Sequence, residues 1–149
     1  MKKTVAVAAD HAGYPLKEAL KKNLADAGYE VLDAGTDCAA SCDYPVFAEA
    51  GCRLVLEGKA ELCILCCGTG VGMSIAANKM NGIRAACCSD VFSARYTRMH
   101  NDANALCLGA RVVGEGLAWE LVTAFLEAEF EGGKHARRVG LIADIEKRN

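Results

Sequence analysis

The segment Leu62-Cys63-Ile64-Leu65-Cys66-Cys67 is apolar throughout and runs directly into Gly68-Thr69-Gly70-Val71-Gly72. A strand with no polar face has to be covered on both sides, which places it near the centre of a parallel sheet. The glycines end the strand sharply and lead into a helix over Met73–Met80, after which Gly82 breaks the chain. Every other segment must then supply flanking strands and two covering layers of helix.

The remaining pattern meets that demand. Thr4–Ala9 is an apolar run ending at Asp10, and Pro15 opens a helix at a position where proline is tolerated. Leu16, Leu20 and Leu24 recur at helical spacing, and Gly28 closes the segment. Glu30–Asp33 reads as a second strand, residues 36–45 as a loop, and Phe47–Glu57 as a helix. Ile83–Cys88 and Ala105–Leu108 read as strands four and five, with a helix over Asp90–Arg98 between them. Leu117–Glu129 is a long helix, and Gly132-Gly133 separates it from a charged helix over about 136–147. Strictly alternating strands and helices imply right-handed crossovers and one domain over residues 1–149. The fold expected is a three-layer α/β/α sandwich on a five-stranded parallel sheet. The last helix is free either to cap the domain or to reach a partner subunit.

Composition removes several classes of function. The net charge of −2 argues against a broad nucleic-acid footprint. No apolar stretch approaches the length of a membrane span, and the N-terminus lacks a secretory signal, so a cytoplasmic location is expected. Nine cysteines without a secretory context read as reduced thiols, most of them acting as small core hydrophobes. Cys63 and Cys66 have zinc-knuckle spacing, but no second pair matches them.

Open parallel sheets bind ligands at the carboxyl ends of their strands. Three features are expected at that edge: Asp10-His11, the loop that begins at Cys67, and His100-Asn101-Asp102. The loop fails as a dinucleotide fingerprint because its third glycine is Gly72 and Met73 follows. It also lacks the Lys-Ser/Thr of a nucleotide phosphate loop and the arginine of a cysteine phosphatase. Cys67 faces backbone amides and a helix N-terminus, a setting that favours a thiolate acting as nucleophile or base. His100 suits proton transfer near neutral pH. Arg111, Lys134 and Arg138 offer positive charge for an anion, whereas Arg137 reads as part of a solvated face.

These residues resemble a known family, the type B ribose-5-phosphate isomerases, which also includes galactose-6-phosphate isomerase subunits. The resemblance rests on Asp10-His11-Ala12-Gly13, Asp43-Tyr44-Pro45, Cys67 through Lys79, Gly82 through Ala85, His100 through Asn104, Gly109 through Gly114 and Phe130 through His135. It implies a Rossmann-like fold and an aldose–ketose isomerase without metal or cofactor. It further implies a site at a homodimer interface, with a dimer of dimers left open. In that family Cys67 is the base and His100, with Asp10, opens the sugar ring. Thr69 assists proton transfer, and the amides of Gly68, Thr69, Gly70, Val71 and Gly72 hold the oxyanion beside Ser74. His11, Arg111, Lys134 and Arg138 bind phosphate, while Tyr44 and Asn101 contact the sugar. Two departures stand out: lysine at 134 where arginine is common, and the cysteines of the Cys38–Cys42 loop. The expected substrate is ribose 5-phosphate. A hexose 6-phosphate (allose or galactose) or a free rare sugar is the alternative, and a non-catalytic sugar-phosphate-binding module is a more distant one.

Overall fold

The computed structural model describes residues 2–149. Five strands, β1 (Thr4–Ala9), β2 (Glu30–Asp33), β3 (Leu62–Cys67), β4 (Ala85–Cys87) and β5 (Ala105–Gly109), form one parallel sheet in the order β2-β1-β3-β5-β4. Six helices alternate with and follow them: α1 (Tyr14–Asp26), α2 (Tyr44–Leu56), α3 (Val71–Ala77), α4 (Val91–Asn101), α5 (Glu115–Glu127) and α6 (Lys134–Arg148). This is the expected Rossmann-like three-layer sandwich.

Strand periodicity builds two cores from one sheet, because successive side chains point to opposite faces. Val5, Val7, Ala9, Ile64 and Cys66 pack with Leu16, Leu20 and Leu24 of α1 and with Leu121 and Phe125 of α5. Ala6, Ala8, Cys63, Leu65 and Cys67 pack on the other face with Ala48 and Cys52 of α2 and Met73 of α3. Neighbouring cysteines 66 and 67 therefore belong to different cores.

Several element ends differ from the expected ones. α2 begins three residues earlier than the hydrophobic pattern shows, with Pro45 in its first turn and Asp43 as its N-cap. α3 begins at Val71 because Gly70 caps it in a left-handed conformation, φ 82°. β4 shrinks to three residues at the edge of the sheet. α4 runs on to Asn101, carrying His100 inside the helix, and ends at Asp102 with φ 47°. α6 starts at Lys134, and none of its side chains is buried.

Candidate active site

The strand order reverses between β1 and β3, the switch point at which doubly wound sheets open a ligand crevice. Asp10 directly follows β1, and Cys67 is the last residue of β3. One Asp10 carboxylate oxygen accepts the Gly13 amide at 2.9 Å and so organises the entry into α1. The amide of Asp10 itself donates to the Cys66 carbonyl at 3.2 Å.

Cys67 is nearly sealed from solvent, and its Sγ accepts the Gly70 amide at 3.1 Å. Only glycine suits position 70. Its φ is positive, and an added Cβ would stand 2.9 Å from the Leu108 carbonyl carbon. Thr69 Oγ1 accepts the Val71 amide at 3.3 Å, and Ser74 Oγ donates to the Val71 carbonyl at 2.8 Å. Two further expected residues close around the loop. The Arg111 guanidinium lies within 3.2 Å of where a Gly68 Cβ would be, and the Tyr44 ring lies 2.8 Å from that point on Gly72. His11 stands across the crevice, with its Nδ1 accepting the Cys42 amide at 3.2 Å. An accepting Nδ1 carries no proton, so Nε2 holds it and is a donor available to an anion.

Two thiols near Cys67 are raised above the usual range. Burial pushes the Cys66 thiol up to about 12, with the adjacent Cys67 adding to the effect. Cys87, which no sequence pattern singles out, donates to the Thr69 carbonyl at 3.5 Å. Its thiol is raised, first by burial and then by the nearness of Cys67.

One expectation is corrected. His100-Asn101-Asp102 does not join the carboxyl edge. α4 starts there, capped by Asp90, and returns antiparallel to the strands, so it delivers His100 and Asn101 to the amino edge. Arg84, just ahead of β4, donates to the carbonyls of Asn101 (3.1 Å) and Asp102 (3.0 Å). Cys67 pairs in register with Gly109, and Cys63 with Ala105, so the two edges are four residues apart. At the parallel-strand rise that is about 13 Å.

A second cluster forms around His100. Its ring stacks on His135, with centroids 4.0 Å apart and planes 9° apart, and meets Tyr96 edge-on at 5.0 Å. Glu131 Oε2 lies 3.5 Å from His100 Nε2 and 3.4 Å from His135 Nε2. The His135 imidazole is held below its usual range, chiefly by desolvation and then by His100, with Lys134 and Arg138 adding to the effect against Glu131. The structure thus gathers His100, Lys134 and Arg138 into one cluster, with Asn101 beside it, and brings in His135 and Glu131, which the sequence reading left outside. A groove of ≈ 410 Å³ runs beside edge strand β4 from Cys87 and Phe92 to His100 and Asn101. A larger hollow of ≈ 670 Å³ beneath α6, lined by Asn78, Ile142 and Ile145, carries none of this chemistry.

A switch-point crevice holding a thiol, an amide-lined loop and an imidazole donor defines an α/β enzyme for a small anionic ligand. The chain belongs to the ribose/galactose isomerase family, whose model matches residues 5–142. It is 47% identical over 146 residues to ribose-5-phosphate isomerase B of Escherichia coli (strain K12), covering 98% of each chain. Its structure superposes on ribose-5-phosphate isomerase B of Clostridium thermocellum with a TM-score of 0.96 at 50% identity, covering 97% of this chain and 98% of that one. It also matches ribose-5-phosphate isomerase B of Mycoplasma genitalium with bound ribulose-5-phosphate. There the TM-score is 0.93 at 38% identity, covering 98% of this chain and 97% of the other. The chain is an aldose–ketose isomerase.

Proposed function

We propose that this protein interconverts ribose 5-phosphate and ribulose 5-phosphate through a cis-enediolate. The observation that carries the reading is the Cys67 sulfur held against the Gly70 amide, beside a loop whose backbone can meet an oxyanion. The Cys67 thiolate removes the C2 proton of the open-chain aldose and returns it to C1. Amides of the same stretch, Gly68 to Gly72, other than those of Gly70 and Val71, which serve Cys67 Sγ and Thr69 Oγ1, hold the negative charge that develops on oxygen, and such preorganised donors often supply the largest catalytic contribution. Thr69 passes protons between the two oxygens, and near-sealing of the sulfur keeps water from the enediolate. His11 and Arg111 take the phosphate on this side, while Tyr44 and Ser74 flank the sugar.

Ring opening falls to His100, which is too far from Cys67 within one protomer to act on the same sugar. We infer that an isologous dimer brings His100, Asn101, Lys134 and Arg138 of one protomer to the Cys67 loop of the other. The exposed apolar side chains beside both halves support this. Ile75 on α3 is 58% exposed, and Phe92 next to edge strand β4 is 65% exposed. Lys134 keeps the charge for the phosphate but lacks the forked geometry of arginine.

The direct test is turnover of ribose 5-phosphate beside allose 6-phosphate and free allose, with chelator present and a Cys67→Ala control. A preference for ribose 5-phosphate, lost by a factor of about 10² to 10⁴ in the variant, is expected. Near-normal turnover by Cys67→Ala removes the cysteine as base. A preference for a hexose keeps the chemistry and changes the substrate.

A further inference from the structure

We propose that His100, Glu131 and His135 form a binding site for a first-row divalent cation of the zinc type, and that occupancy blocks the isomerase. The three donor atoms, two imidazole nitrogens and a carboxylate oxygen, lie within 4.8 Å of one another. The two His–Glu separations, 3.5 and 3.4 Å, are long for hydrogen bonds. They match the ligand-to-ligand edge of a tetrahedral zinc centre, about 3.4 Å for bonds of about 2.1 Å. Two histidines and one carboxylate suit zinc, cobalt and nickel rather than magnesium or calcium. Three protein ligands also leave a fourth position open.

The fold holds the three ligands on separate supports. His100 is in the last turn of α4 and His135 in the first turn of α6. Glu131 is tied down by its own amide, which donates to the Met99 carbonyl at 3.0 Å. The Gly132-Gly133 turn, with φ of 68° and 58°, folds the chain back so that Glu131 meets His135 four residues on. The stacked rings place their nitrogens side by side rather than converging. Coordination therefore tilts the His100 ring, whose side chain is 37% exposed, out of the stack. Lys134 and Arg138 stand nearby and oppose a cation, which sets the affinity below that of a structural zinc site.

Binding rests on these side chains alone. Inhibition rests on the proposed function, because a metal on His100 Nε2 withdraws that nitrogen from the sugar ring. Titration of chelator-treated, reduced protein with cobalt(II) separates the two claims. The expected result is about one cobalt per chain, visible d–d absorption of a tetrahedral site and no thiolate-to-cobalt charge-transfer band. Glu131→Gln and His135→Asn, each checked for an unchanged far-ultraviolet spectrum, should each weaken cobalt binding tenfold or more. Charge-transfer absorption, which places the ion on cysteines, overturns the site, as does undiminished binding in both variants. Binding as expected with turnover unaffected by saturating zinc overturns only the blocking of the isomerase.

Discussion

Mixing two inactive variants tests whether the active site is shared between chains. Within one protomer Cys67 and His100 lie at opposite edges of the sheet, about 13 Å apart along the strands. A base acts only within contact distance of its proton, so both groups cannot serve one bound sugar from the same chain. Cys67→Ala and His100→Ala are each expected to lose most ribose 5-phosphate turnover. In a mixed dimer of a two-fold interface, one site combines the intact Cys67 of one chain with the intact His100 of the other. The second site carries both lesions. Random reassortment makes half the dimers mixed, with one working site in two, so recovery should reach about a quarter of wild-type activity. The variants are unfolded together, refolded at equal ratio and assayed, with separately refolded samples as controls. No recovery at any mixing ratio, with dimers present by light scattering, refutes the shared site.

Other consequences follow from the same geometry. Erythrose 4-phosphate has no free hydroxyl that closes a furanose ring, so any turnover of it should survive His100→Ala far better than turnover of ribose 5-phosphate; equal losses remove ring opening as the role of His100. Lys17 is buried and binds both Asp33 oxygens at 2.8 and 2.9 Å and the Thr36 carbonyl at 2.6 Å. Asp33→Ala leaves Lys17 with the Thr36 carbonyl and with Glu18 at 3.3 Å, and should cost about 1 to 3 kcal/mol in denaturant unfolding. Burial raises the Asp33 carboxyl, but hydrogen bonds from Lys17, Lys21 and the Gly35 amide outweigh it and hold the group below its usual range. Its stabilisation is present above the ordinary carboxylate pKa and disappears as pH falls through the lower folded value. Asp33→Asn should flatten that acid limb, and an unchanged limb contradicts the pairing. Brief alkylation of the folded protein near pH 8, read by peptide mass spectrometry, should modify exposed Cys38 and leave buried Cys63, Cys66 and Cys107 unmodified. Gly70→Ala should cost about 1 to 3 kcal/mol from backbone conformation alone and lower turnover by displacing the amide on Cys67.

Much of this was legible in the residues themselves. The all-apolar β3 had to be central, and the glycines after it had to form a tight turn, because both constraints are local. The Cys67 loop, Asp10 and Arg111 follow from that turn and from strand ends, so their grouping could be read from sequence. Helix ends were less visible: α2 gained a turn at Tyr44 because Pro45 is compatible with a helix start even where the hydrophobic pattern is silent.

Neighbours within a few residues of one another dictate the alternation of elements, the central strand and the tight turn after Cys67. The tertiary structure decided which edge each residue reaches. The motif His100-Asn101-Asp102 reads as a neighbour of Cys67, but a helix returning antiparallel to its strand carries its last turn to the far edge. His135 sits 35 residues from His100, and only the packing of α6 against α4 stacks their rings. Direction and packing are non-local, and no local pattern of residues encodes them.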